Sequence, residues 1–165
     1  MRTGRAIILV LMLWTVPASA QENMVATIDP ARPHVGQTVT VAYHAGSPAA
    51  TLKDATQMIA EIMIVGDEDP RVLEPVLKKS GSTWRGSFQV PERGAQLILY
   101  RFRSGENMDD NGADVWRSLI YGTDGKPVRG AYLARATAEQ YPTSLGFKLQ
   151  KDSEAAAADI DFQLQ

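Results

Sequence analysis

Hydrophobic and polar residues alternate with a period of two along most of this chain, and the period lengthens only after residue 127. In the run Gln37 to His44, Val39, Val41 and Tyr43 alternate with Thr38, Thr40 and Ala42, the pattern of a strand with one buried and one wet face. Val25, Thr27 and Ile28 precede it and run into a turn at Asp29-Pro30. Ala49 to Met58 reads as a loop or a single helical turn. Ala60 to Val65 is continuously apolar, which suits a central strand, and Gly66-Asp67-Glu68-Asp69-Pro70 breaks it. Val72 to Lys78 is a weaker strand that Pro75 confines to a sheet edge. After the Ser80-Gly81-Ser82 turn, Thr83 to Val90 sets Trp84, Gly86, Phe88 and Val90 on one face. Ala95 to Arg103 is the longest strand candidate, and Val115 to Tyr121 closes the set.

Short strands separated by turn signals, rich in β-branched and aromatic residues, predict a mostly β protein: an immunoglobulin-like antiparallel β-sandwich. Alternation nominates Val39, Val41, Ile62, Ile64, Trp84, Phe88, Leu97 and Leu99 as its core. Past the turn Thr123-Asp124-Gly125-Lys126-Pro127, residues Ala131, Ala134, Ala138 and Tyr141 recur at helical spacing. A second helical piece follows Pro142, with Leu145 and Leu149 four apart. Asp152-Ser153 caps a third, with Ala156 or Ala157, Ile160 and Leu164 on one side. The sandwich is thus followed by a short α-helical tail. The chain stops at Gln165 inside a helical pattern, so the tail reads as the start of a larger helical or repeat region of a longer protein.

The first twenty residues have a separate logic. Arg2 and Arg5 form a basic start, Ala6 to Trp14 is unbrokenly apolar, and Ala18-Ser19-Ala20 is an A-x-A-type cleavage site. This is the grammar of a secretory signal peptide, and the run is short for a membrane span, which needs about 20 apolar residues. The expected division is a signal peptide at 1–20, the sandwich at 21–123 and the helical segment at 124–165, in an exported periplasmic or extracellular protein. The exported part has 145 of the 165 residues, enough for one domain with an appendage. It lacks cysteine, which excludes disulfide staples and thiol catalysis from this segment. Of 17 basic and 19 acidic residues it loses only Arg2 and Arg5, leaving 15 against 19. With no basic stripe, nucleic acid is a poor partner, and no membrane span is expected in the mature chain.

Leu99 to Tyr132 carries a more particular sequence of features. A strand ends in the loop Asp109-Asp110-Asn111-Gly112-Ala113-Asp114, another strand follows, and Asp124-Gly125-Lys126-Pro127-Val128 leads into a helix of small residues. Tyr141-Pro142-Thr143-Ser144-Leu145 and Lys151-Asp152-Ser153-Glu154-Ala155 come next, and Pro30, Pro33, Gly36 and Val39 open the domain. This arrangement, from Ile28 to Ile160, resembles the N-terminal immunoglobulin-like module of extracytoplasmic bacterial proteins that carry a thioredoxin-like domain further on. Those motifs are turns and caps rather than catalytic groups. No C-x-x-C lies here, so the resemblance implies that any thiol-disulfide chemistry belongs to a domain beyond Gln165.

Candidate chemistry is sparse. Asp109, Asn111 and Asp114 could supply oxygen ligands to a hard cation, but Ala113 stands at the fifth position from Asp109, and Ile120 where an EF-hand places its glutamate. A solvated loop, with Asn and Gly in left-handed conformations, is the preferred reading. Trp116 and Tyr121 are the candidate ligand-binding aromatics, for carbohydrate, whereas Tyr43 and Trp84 lie on apolar strand faces and belong to the core. His34 and His44 belong to no metal-binding or nucleophilic pattern and are expected at the surface. Asp67, Glu68 and Asp69 read as a solvated turn. No catalytic residue, metal or cofactor is assigned. The function expected is a non-catalytic accessory or interaction module whose partner is another protein or other domains of the same chain. A carbohydrate-binding module is one alternative; part of a thiol-disulfide oxidoreductase is the other. Intact mass of the exported protein should show a chain starting at or beside Gln21, and a mass retaining residues 1–20 would mean an uncleaved anchor.

Overall fold

The computed structural model describes residues 24–112, 114–141, 146–147, 149–150 and 153–163; the signal-peptide segment and the Tyr141–Leu145 motif beyond Tyr141 lie outside the described residues. Nine strands come first: β1 (Ala26–Asp29), β2 (Thr38–His44), β3 (Ile59–Gly66), β4 (Arg71–Leu73), β5 (Lys78–Ser80), β6 (Thr83–Gln89), β7 (Ala95–Ser104), β8 (Asn107–Asp109) and β9 (Trp116–Leu119). Two helices follow, α1 (Ala131–Gln140) and α2 (Ser153–Gln163). One sheet has the order β1-β2-β6-β5, and the other has the order β4-β3-β7-β8, with β9 also pairing β7. All of these ladders are antiparallel. Facing sheets in this order form an immunoglobulin-type sandwich with an extra edge strand, β4, beside β3.

The expected Val72 to Lys78 strand is two strands. Around Pro75, which has no N–H for a ladder, the chain leaves β3, on which β4 pairs, and joins β6 through β5 in the opposite sheet. Ala49 to Met58 is a loop without helix, and it buries Ala50, Leu52, Ala55 and Met58 over one end of the sandwich. Tyr43 pins that loop. Its hydroxyl donates to Asp109 Oδ2 at 2.6 Å and accepts from the Leu52 N–H at 2.9 Å. Burial first, and then the Asp109 hydrogen bond, push the Tyr43 phenol up to about 12.

Six of the eight nominated core residues lie between the sheets: Val39, Val41, Ile62, Ile64, Trp84 and Phe88. Leu97 and Leu99 do not. Both are fully buried, but on the other face of β7, in a second apolar cluster with Met63, Leu119 and Ala131, Ala134 and Ala138 of α1. The β7 side chains that enter the sandwich are Ile98, Tyr100 and Phe102. Alternation correctly put Leu97 and Leu99 on one face; because both faces of β7 are apolar, it could not say which face was inward.

The tail accordingly lies on the sheet. Ala131, Ala134 and Ala138 are buried as their spacing predicts, but Tyr141 is 69% exposed. Residues 146–147 and 149–150 are not helical, and Phe147 is buried there against the sheet. Among the described side chains of α2 the buried ones are Ala156 and Asp159, while Ile160, expected on the packing side, is 39% exposed, and Leu164, expected beside it, lies outside the described residues. Asp159 turns α2 toward α1 because Arg135 donates to both its oxygens, at 2.6 Å and 2.5 Å. Among the described residues of α2, this charge pair and the buried Ala156 face α1.

Leu99→Ala should cost about 2–5 kcal/mol, as large-to-small changes at fully buried sites do. In amide exchange, α1 should lose protection before β2 and β6. Equal loss throughout would place Leu99 in the same cooperative core as Trp84.

Candidate functional site

The outer face of the β4-β3-β7-β9 sheet has a charged half and an apolar half. On the charged half, Glu61 of β3 stands opposite Arg101 of β7. Arg101 Nε donates to Glu61 Oε2 at 2.7 Å, and Arg103 Nε donates to Oε1 at 2.6 Å. Arg101 also donates to the Gly146 carbonyl at 2.9 Å, and its guanidinium lies 4.4 Å from the Phe147 ring centroid. This clamp ties the 146–147 segment to the sheet.

The apolar half lies under α1. The helix starts at Gly130, whose left-handed φ of 86° suits glycine, and a Cβ there would come within 2.4 Å of Gln96 Nε2. From that start the alanine face rests on Leu97, Leu99 and Met63. Leu133, Thr137 and Tyr141, spaced by four, run along the helix flank. They wall one side of a groove of about 400 Å³ whose other side is Met63, Val65, Gly66 and Pro70. Ala134 and Ala138 also line it. Clefts of about 300–1,000 Å³ suit small ligands or inserted side chains. Leu133 is 49% exposed at its lip. Beyond Met63 the face continues onto β4, where Val72, Met63's cross-strand neighbour, is 43% exposed.

One end of the groove is polar. Gln96 Nε2 donates to Asp67 Oδ1 at 2.6 Å and to the Arg129 carbonyl at 3.3 Å, joining the 66–70 turn to the start of α1. Asp67, Glu68 and Asp69 are exposed, and Glu68 pairs with Arg71 at 3.1 Å. A bulge in the β3–β7 ladder falls between Val65 and Gly66, where a Cβ on Gly66 would lie 1.9 Å from the Gly94 carbonyl oxygen. The glycine is required for that close approach.

The residues singled out from sequence are scattered. Asp109 is buried and accepts from Tyr43, from the Thr51 N–H at 3.1 Å and from the Asn111 N–H at 3.2 Å. Asn111 and Gly112 are left-handed, at φ 58° and 73°. Asp114 accepts from Arg117 at 2.7 Å and from the Gln150 N–H at 3.1 Å. The loop is therefore hydrogen-bonded into the fold, with Asp109 inside it rather than solvated. Among the described residues no three His, Asp or Glu side chains converge on a common point.

Trp116 faces the sandwich interior, stacked 6.1 Å from Tyr100 and edge-on to Phe102 at 5.4 Å. Tyr121 packs with the outer cluster, and the Arg32 guanidinium sits over its ring at 5.5 Å. The two rings lie on opposite faces and form no shared platform. Both histidines are half-buried rather than on the open surface. His34 bonds the Tyr121 carbonyl at 3.0 Å, and His44 bridges Thr27 at 3.2 Å and Thr83 at 3.3 Å. The α1 groove escaped sequence reasoning; its one signal was the apolar flank Leu133 and Tyr141 beside the alanine face.

No protein-family model, curated protein or solved structure matches this chain. Among the described residues no helix is long and apolar enough to cross a membrane.

Two groups set an acid response. Burial, followed by the nearby Arg85 charge, lowers the His44 pKa. For Glu61, burial alone would raise the pKa, but the Arg103 and Arg101 hydrogen bonds outweigh it and hold the carboxyl below its ordinary range. Both folded values lie below the unfolded ones, so the unfolded chain takes up protons first and stability falls with pH. Urea titrations should show loss beginning below about pH 6.5 and a second stage below about pH 4.5, the ordinary values of the two groups. Glu61→Gln should abolish the second stage and cost about 3 kcal/mol at neutral pH, as expected for breaking a buried pair. An unchanged acid limb in this variant would contradict the assignment.

Proposed function

We propose that this chain is a non-catalytic, extracytoplasmic immunoglobulin-like interaction module that receives a protein partner in the groove between α1 and β3. The observation that carries the reading is the groove itself: ligand-sized, apolar, and continued by exposed Leu133, Tyr141 and Val72. Contiguous apolar surface of this kind marks interaction sites in soluble proteins. The candidate polar groups Asp109, Asn111 and Asp114 are committed to partners within the chain, which supports a binding role over a catalytic one. The leader-like first twenty residues support export. The resemblance to the N-terminal module of thioredoxin-like proteins supports an accessory role beside a catalytic domain; in that setting the partner is a protein surface supplied by, or recruited to, the same assembly.

A photo-crosslinking residue at position 141 should yield a discrete protein adduct in the native compartment, and the same residue at Met108, exposed elsewhere on the fold, should not. Filling the groove with Thr137→Trp should abolish the adduct. Absence of any adduct at 141, together with retention of the intact chain on a polysaccharide, would favour the carbohydrate reading instead.

A further inference from the structure

We infer that Asn111-Gly112 is a site of spontaneous covalent modification, at which water converts the asparagine to aspartate or isoaspartate and so loosens the loop that Asp109 ties to the sandwich. The chemistry is intramolecular. The Gly112 backbone nitrogen attacks Asn111 Cγ, the new N–Cγ bond replaces the Cγ–Nδ2 bond, and ammonia leaves with the Gly112 amide proton. The cyclic imide then takes up one water and opens at either carbonyl, to aspartate or to isoaspartate. Three observations point to this bond. The chain has three asparagines; Asn23 and Asn107 precede methionine, and only Asn111 precedes glycine, which has no Cβ to keep its nitrogen from the side chain. Asn111 and Gly112 are both exposed in a left-handed turn, at φ 58° and 73°, so water reaches the imide. The Gly112 N–H donates to no acceptor among the described residues. The leaving amide is held by one exposed hydrogen bond, Nδ2 to the Asp114 carbonyl at 2.8 Å, a weak restraint in water. The consequence follows from the same contacts. Either product puts a carboxylate where Asn111 now donates, facing the Asp114 carbonyl oxygen. Isoaspartate also adds a backbone methylene beyond the Asn111 N–H, which Asp109 Oδ1 accepts at 3.2 Å. Asp109 Oδ2 holds the Tyr43 hydroxyl and the Thr51 N–H, so a displaced Asp109 loosens the 49–58 loop at the end of the sandwich.

The exported chain, aged in mildly alkaline buffer, tests this by peptide mapping with fragmentation that separates aspartate from isoaspartate. An exchange of NH2 for OH should accumulate at position 111 about tenfold faster than at Asn107, whose neighbour Met108 has a Cβ and is paired with Arg103 in the β7–β8 ladder. Asn111→Gly, which keeps the left-handed backbone, should remove the signal. In the aged protein the Thr51 and Leu52 amides should exchange faster, with β2 and β6 unchanged. No conversion at 111 by the time the same chain in urea has reacted fully means that the fold closes the site, and overturns the proposal. Equal conversion at Asn107 overturns the part assigned to Gly112. Conversion at 111 that leaves Thr51 and Leu52 exchange unaltered overturns the coupling through Asp109 and leaves the modification standing.

Discussion

Two strands of this fold are apolar on both faces, and the rest of the molecule is arranged around that constraint. In β3 and β7, Ile62, Ile64, Ile98, Tyr100 and Phe102 fill the sandwich, while Met63, Leu97 and Leu99 face away from it. A sandwich covers one face of each sheet; the other must be wet or be covered by something else. Leaving Met63, Leu97 and Leu99 in water would forfeit about 1.5–3 kcal/mol for each large side chain. The chain supplies the cover itself in α1. The helical segment is therefore the third layer of the structure, resting on the sheet with its own core.

The charged half of the same face is handled by different physics. Glu61, Arg101 and Arg103 could not be buried separately, because an isolated charge out of water costs several kcal/mol even after relaxation. Placed in cross-strand register they satisfy one another, and the spare Arg101 donor and its guanidinium face hold Gly146 and Phe147. The Arg135–Asp159 pair repeats the device between α1 and α2. Hydrophobic burial fixes where α1 lies, and among the described residues beyond it directional contacts of Arg101 and Arg135 hold Gly146, Phe147 and Asp159.

The division between what was legible in the sequence and what was not follows from this. The strands of the first sheet carry one apolar and one polar face, so Val39, Val41, Trp84 and Phe88 were assigned correctly by period alone. On β7 the same rule had two solutions, and Leu97 and Leu99 went to the wrong layer. Pro75 signalled an interruption of the edge strand but not that the chain changes sheets there. Ile160 looked like a packing residue because periodicity ranks apolar side chains above charged ones, yet the Arg135 guanidinium made Asp159 the better buried group. The site was least legible. Asp109 and Trp116 stood out by residue type, and each proves to hold the fold together, while the groove is a property of two elements far apart in sequence.

The groove can itself be traced to the composition of α1. A helix that presents Ala131, Ala134 and Ala138 can approach the sheet closely, because methyl groups hold it off less than leucine would. Close approach seals Leu97 and Leu99 completely. A small-residue face is also narrow, and it spreads little apolar area to either side. Larger side chains at those positions would lift the helix and spread its contact over Val65 and Val72, trading tightness over β7 for breadth over β3. With alanine the seal is tight and the cover incomplete. Leu133, Thr137 and Tyr141 are left as one wall of a channel whose other wall is the uncovered strip of sheet. The same choice that buries the second core thus leaves an apolar space beside it, closed at one end by Gln96, which bridges Asp67 and the Arg129 carbonyl.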